Sequence, residues 1–170
     1  MTIAVCPGSF DPITYGHLDI FMRASKLFDK VIILIVINID KKPSFTPEER
    51  VEMIKMVTED MPNVVVDTYS GLLTNYVKEQ GAIAIVKGLR AMSDFEYEFQ
   101  MALTNKKLYP GADTVFLTTS AANMYLSSSV VKQVVRFGGS VSGLVPRKLH
   151  SMVVDRLSEK IYEKGAEEES

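Results

Sequence analysis

Val31-Ile32-Ile33-Leu34-Ile35-Val36-Ile37 decides the fold. This continuous apolar run, mostly β-branched, has no polar face, so it reads as a strand covered on both sides, as in a parallel sheet. It is far too short to cross a bilayer. Upstream, Ile3–Cys6 reads as a first strand. His17–Phe28 reads as a helix, with Leu18, Ile20, Phe21, Ala24, Leu27 and Phe28 on one face of 3.6 periodicity. Downstream, Thr46-Pro47-Glu48-Glu49 opens a helix to about Thr58: Thr46 caps, Pro47 takes the first helical position and Glu49 closes a capping box.

The alternation continues to the end. Val64–Val66, Ile83–Val86 and Thr114–Leu117 read as strands, and Leu72–Lys78, Ala91–Leu108, Ser127–Phe137 and Pro146–Tyr162 as helices. Gly81, Pro110-Gly111 and Gly138-Gly139 stop three of those helices. Strand and helix in turn predict a doubly wound α/β fold, a Rossmann-like five-stranded parallel sheet with helices on both faces. In such folds ligands bind beyond the carboxyl ends of the strands, where the strand order reverses.

The 170 residues, of near-average composition, imply one globular domain over 1–163 and a polar tail at Lys164–Ser170. A net charge of −2 argues against a nucleic-acid binder that relies on bulk electrostatics, so phosphate binding must rest on a few local cations. The single Cys6 cannot form an internal disulfide and lies in an apolar run, which points to a buried thiol in a reducing compartment. No basic segment followed by a long apolar stretch opens the chain. The expected location is the cytoplasm, with no membrane partner.

Four patches fall just after the predicted strands: Pro7-Gly8-Ser9-Phe10-Asp11-Pro12 with Thr14-Tyr15-Gly16-His17, Lys41-Lys42-Pro43, Lys87-Gly88-Leu89-Arg90, and Ser127-Ser128-Ser129. Singly, each has an ordinary reading: a turn glycine, a solvated loop, a helix cap. Together they put glycines, hydroxyls, cations and a His at one sheet edge, where free N–H groups at helix starts attract phosphate. The chain has no Gly-x-x-x-x-Gly-Lys-Ser/Thr and no Gly-x-Gly-x-x-Gly after a strand, so neither common nucleotide fingerprint applies. One Cys and two His, His17 and His150, are too few for a structural zinc, and His150 carries no assigned role.

Thr14-Tyr15-Gly16-His17 resembles the (His/Thr)-x-Gly-His motif of the nucleotidylyltransferase superfamily. Gly88-Leu89-Arg90 with Asp94-Phe95-Glu96-Tyr97-Glu98 narrows the likeness to the bacterial phosphopantetheine adenylyltransferases; Lys41-Lys42-Pro43, Phe45-Thr46-Pro47-Glu48-Glu49-Arg50 and Ser127–Lys132 carry the same resemblance. That family joins ATP to 4′-phosphopantetheine with Mg2+, releasing dephospho-coenzyme A and pyrophosphate. The resemblance implies that His17 steadies the transition state and Ser9 touches both substrates. It places Lys41, Leu73 and Lys87 on the phosphopantetheine side. Phe10, Gly88, Leu89, Arg90, Glu98 and the stretch Asn123, Met124, Tyr125, Leu126, Ser127, Ser128, Ser129 fall on the ATP side, with Ser9 and His17. It further implies a homohexamer; coenzyme A, which shares both substrate groups, is a candidate further ligand of the same site.

Three places depart from the family: Lys87 stands for the usual Arg, which keeps charge and loses the bidentate fork, Ser9 stands for the commoner Thr, and Ala121-Ala122-Asn123 stands for a bulkier, more polar stretch, which leaves adenine contacts there to the backbone. A cytidylyltransferase, a nicotinate mononucleotide adenylyltransferase and a non-catalytic nucleotide-binding module on the same fold are the rival readings. The Gly-Leu-Arg block argues against the first two, and the set Ser9, His17, Lys41 and Arg90 against the third.

Overall fold

Five parallel strands form the middle layer of the computed structural model, which describes residues 1–38 and 42–158: β1 (Ile3–Gly8), β2 (Lys30–Val36), β3 (Val64–Tyr69), β4 (Ala84–Leu89) and β5 (Asp113–Thr118), in spatial order β3-β2-β1-β4-β5. Helices α1 (Tyr15–Leu27), α2 (Pro47–Thr58), α3 (Leu73–Glu79), α4 (Met92–Leu108) and α5 (Ser128–Arg136) follow the strands, and a sixth helix, α6, covers 150–158. This is the doubly wound, Rossmann-like sheet expected from the alternation. The strand order reverses between β1 and β4.

Side chains alternate across the pleat, so each central strand feeds two cores. Ala4, Cys6, Ile33 and Ile35 face one side and pack with Phe21, Ala24, Met53, Ile54, Val131 and Val153 of the helices. Val5, Ile32, Leu34 and Ile85 face the other, against Tyr76 and Val77 of α3. Residues 31–35 are all buried, which is why the run could dispense with polar positions. Each such Val, Ile or Leu contributes about 1.5–3 kcal/mol by leaving water.

The cleft arises from how the strands part. β1 stays in register with β2 from Ile3↔Lys30 to Gly8↔Ile35, but pairs with β4 only at Ala4↔Ala84 and Val5↔Ile85. Beyond Val5 the two central strands splay. Pro7, which has no N–H to offer a second neighbour, lies just past that point. β4 meanwhile continues beside β5 to Leu89↔Thr118.

Several boundaries differ from expectation, each for a physical reason. Pro7-Gly8 and Lys87-Gly88-Leu89 belong to strands rather than to following loops, because ladder pairing carries weak strand formers along. Helix α1 begins at Tyr15, since Thr14 is its N-cap and His17 is already its third residue. The last helix opens as a 3-10 turn, Arg147–Leu149, before α6. Its expected end at Tyr162, the tail and Lys41 lie outside the described residues. No helix among the described residues is long and apolar enough to cross a membrane.

Candidate active site

A cavity of about 580 Å³ fills the gap between the splayed ends of β1 and β4, within the usual range for small-molecule sites. Of the residues singled out by sequence, Ser9, Phe10, His17, Lys87, Gly88, Arg90, Glu98, Leu126, Ser127, Ser128 and Ser129 line it. Leu73 lines a second cavity of about 110 Å³. Pro7, Lys87, Tyr97 and Glu98 stand in both walls, so the two spaces adjoin. Leu89, Asn123, Met124 and Tyr125 line neither. Leu89 is taken up by the β5 ladder, where its carbonyl also accepts the Thr119 N–H. Met124 and Tyr125 project into solvent past the Ala121–Asn123 turn.

His17 is set by the start of α1. The Thr14 main-chain N–H donates to His17 Nδ1 at 3.1 Å, and the Thr14 hydroxyl lies 3.2 Å from the same atom. The His17 N–H donates back to Thr14 Oγ1 at 3.4 Å, a capping box with an imidazole in the role Glu usually plays. A main-chain N–H can only donate, so Nδ1 is the acceptor and the neutral ring carries its proton on Nε2. Burial first, then the charges of Arg90 and Lys87, push the His17 pKa down to about 4. The ring at neutral pH is therefore an uncharged N–H donor.

Phe10 holds that ring from the side. The two rings meet edge-on at 5.1 Å, and Phe10 makes a second edge contact with Phe21, also at 5.1 Å. Phe10 adopts a left-handed backbone, φ 47°, costly for a bulky residue. Its ring lies over Gly8, where a Cβ would sit 2.6 Å from Phe10 Cζ. Gly88 is similarly constrained, since a Cβ there would come within 2.9 Å of Ile20.

The cations are held by carboxylates. Arg90 engages Asp94 through Nε at 3.1 Å and Nη2 at 3.4 Å, and donates from Nη1 to the Leu126 carbonyl at 3.0 Å. Lys87 Nζ lies 3.3 Å from Glu98 Oε1. Pairing of this kind holds the charges in place without saturating them, and leaves them to be re-engaged by an arriving anion. On the far side, Ser127 Oγ caps the Val130 N–H at 3.1 Å, and Ser128 Oγ donates to the Pro12 carbonyl at 2.7 Å. The α5 N-terminus thus presents its remaining N–H groups and the positive end of its dipole to the cavity.

Sequence reasoning gave no site role to several residues here, although Asp11, Asp94 and Tyr97 stand in the stretches it quoted. Asp94, Tyr97 and Thr119 line the cavity. Asp11 is buried, accepts the Ser44 and Phe45 N–H groups, each at 2.8 Å, and pairs with Lys132 at 2.7 Å. Burial pushes the Asp11 carboxyl up, but Lys132 and the two N–H groups outweigh it and hold it below the ordinary carboxylate range. A signal existed for Arg90–Asp94, an i,i+4 pair of opposite sign. None existed for Asp11–Lys132, 121 residues apart.

A cavity at the switch point of a parallel sheet, lined by Lys87, Arg90, the start of α5 and a His on the first helix, fits a nucleotidylyltransferase. A profile of the cytidylyltransferase-like family matches residues 5–134. The fold is also shared by the Plasmodium falciparum nicotinic acid mononucleotide adenylyltransferase complexed with NaAD, at TM-score 0.64, 14% identity and coverage of 94% of this chain and 95% of that one.

The particular family follows from closer relatives. The phosphopantetheine adenylyltransferase of Caldanaerobacter subterraneus subsp. tengcongensis is 54% identical over 94% of this chain and 98% of its own length. That of Clostridium tetani is 60% identical over 88% and 93%. The chain belongs to the phosphopantetheine adenylyltransferase family.

Proposed function

We infer that this chain transfers the adenylyl group of ATP to 4′-phosphopantetheine, giving dephospho-coenzyme A and pyrophosphate in coenzyme A biosynthesis. The carrying observation is the convergence of the uncharged His17 Nε2–H, Lys87, Arg90 and the α5 N-terminus on one cavity, joined to a second. A phosphate monoester has a second pKa of about 6 and is largely dianionic at neutral pH. It needs no general base, and among the described residues the partners of His17 Nδ1 are the Thr14 N–H and hydroxyl, neither of them a base.

In this reading an acceptor phosphate oxygen attacks the α-phosphorus in line. The new P–O bond forms as the α–β bridging P–O bond breaks, and its electron pair leaves with pyrophosphate. His17 donates to the α-phosphate oxygens, where charge builds in the transition state. Arg90 and Ser127–Ser129 hold the β- and γ-phosphates. Lys87, Lys41 and Ser9 bring in the acceptor, and Leu73 lines the path of its arm. Catalysis is then positioning and electrostatics.

Mg2+ binds through one or two carboxylates plus phosphate oxygens and water. Asp94 and Glu98 are carboxylates in the cavity wall, a donor set that fits Mg2+ brought in with the nucleotide. These two side chains would hold the ion, which when bound would offset phosphate charge. The same reading makes the protein a cytoplasmic homohexamer that also accepts coenzyme A. Exposed apolar side chains on α4, among them Phe99, Leu103 and Leu108, support contacts between copies, and mass in solution tests this.

The deciding experiment is pyrophosphate release from magnesium-ATP with and without 4′-phosphopantetheine. Release that requires the acceptor and yields dephospho-coenzyme A is expected. ATP binding without such release would sink the assignment. His17→Ala should lower kcat by about 10²–10³-fold, far more than it raises either KM.

A further inference from the structure

Among the described residues, Arg50 is the only cation with a buried side chain, at 3% exposure. It stands on the inner face of α2, beside buried Met53 and Ile54 at i+3 and i+4, where an apolar residue is expected. Burial draws its pKa down, and the Asp11 and Glu48 charges act against that. A guanidinium in such a place costs desolvation that a Leu or Met would not. What it gains is two bonds to main-chain carbonyls: Nη1 donates to Ser9 O at 2.8 Å and Nε to Thr46 O at 3.3 Å.

The first of these bonds bears on the site. Ser9 O belongs to the peptide plane that turns about the Phe10 N–Cα bond, and that turn is the Phe10 φ angle. Phe10 sits at φ 47°, a conformation that persists only where its surroundings over-determine it. Relaxing it to a negative φ would swing the Ser9 carbonyl off Arg50. The strained residue carries the ring that meets His17 edge-on at 5.1 Å. A path of contact therefore runs from Arg50 through the Ser9–Phe10 peptide to the imidazole. The second bond ties the same guanidinium to the Thr46 cap of α2. The adjoining segment is itself anchored when Ser44 and Phe45 donate to Asp11.

We propose that Arg50 is a positioning residue for adenylyl transfer: by clamping the Ser9 carbonyl it holds Phe10 in its left-handed conformation and thereby sets the His17 ring and the Ser9 hydroxyl. Arg50 touches neither substrate. It is absent from the lining of both cavities, and its effect passes through its neighbours. The inference rests on the adenylyl-transfer reading above.

Arg50→Lys keeps the charge without the two-pronged donor, and Arg50→Gln keeps a donor without the charge or the reach. Ile54→Val, in the same helix and fully buried, is the control for lost stability alone. Pyrophosphate release is measured with both substrates varied, beside thermal unfolding. A displaced reacting group costs about 10²-fold. The folded Arg50 variants should lose about that factor in kcat, with KM for ATP within about threefold of wild type. Ile54→Val should lose melting temperature and keep its kcat.

A folded Arg50→Lys with kcat within about threefold of wild type, or an equal kcat loss in Ile54→Val, would overturn the proposal. Failure of both Arg50 variants to fold would overturn it too, making Arg50 a purely structural residue. A wild-type protein with no turnover would sink the adenylyl-transfer reading and this inference together, whereas active wild type with unaffected variants sinks only the inference.

Discussion

Acidification from pH 7.5 to 5 should leave His17 largely uncharged. An ordinary imidazole of pKa about 6.5 would be about 97% protonated at pH 5. With the His17 pKa pushed down to about 4, only about a tenth of the rings carry the second proton at that pH. This preference for the neutral ring is worth about 3 kcal/mol. Its causes rank as burial, then Arg90, then Lys87. Arg90→Met should therefore raise the His17 pKa more than Lys87→Met does, and neither should restore the ordinary value while the ring stays buried. Proton NMR reads this directly, because the chain has only two histidines, and His17→Asn assigns the signals. In steady-state kinetics the acid limb of kcat/KM should follow the acceptor phosphate, with its second pKa of about 6. The sign for stability follows from linkage. Between about pH 4 and 6.5 the unfolded chain binds the proton and the folded one does not, so this group makes stability rise with pH across that window. A wild-type His17 titrating near 6.5, or a larger response to Lys87→Met than to Arg90→Met, would refute the reasoning.

Gly8→Ala places a Cβ 2.6 Å from Phe10 Cζ. It should cost about 1–3 kcal/mol in chemical denaturation and displace the ring that supports His17, with a matching fall in kcat. Asp11→Asn removes the charge that pairs with Lys132 and receives the Ser44 and Phe45 N–H groups. It should cost about 1–3 kcal/mol at neutral pH. Because the folded Asp11 pKa is lowered, the gap between wild type and variant should close as pH falls below the ordinary carboxylate range, which denaturation at several pH values would show. Cys6 is buried and its thiol is pushed up to about 12, chiefly by burial. Iodoacetamide at pH 8 should leave the native protein unlabelled by mass spectrometry and label it only in denaturant.

Much of the fold was legible because its elements carry local signals. The all-apolar strand at 31–37, the Thr46-Pro47-Glu49 helix start and the glycine stops each specify structure within a few residues; the strand lies at Lys30–Val36, one residue from its signal, and the helix starts at Pro47 as expected. Strand ends were not legible. Pro7-Gly8 and Lys87–Leu89 extend their strands only because a partner from elsewhere in the chain pairs with them. Within the site, the motif residues could be found from their family resemblance and their place after predicted strands, and the Ser127 cap from the helix start it opens. The groups that hold them could not, since Asp11 meets Lys132 across 121 residues and Arg50 meets Ser9 across 41. Arg50 did leave a trace, a charge on an otherwise apolar helical face, though that alone does not say which carbonyl it serves.

The wall shared by the two cavities bears on ligand design. Pro7, Lys87, Tyr97 and Glu98 face both spaces, so one molecule with a group in each gives up translational and rotational freedom once rather than twice. A nucleotide tethered to a pantetheine-like arm should outbind an equimolar mixture of its halves, provided the tether threads past the Lys87–Glu98 pair. The transfer product has the same two-headed shape. If it spans both spaces as proposed, its departure breaks both sets of contacts together, at the wall that Pro7, Lys87, Tyr97 and Glu98 share.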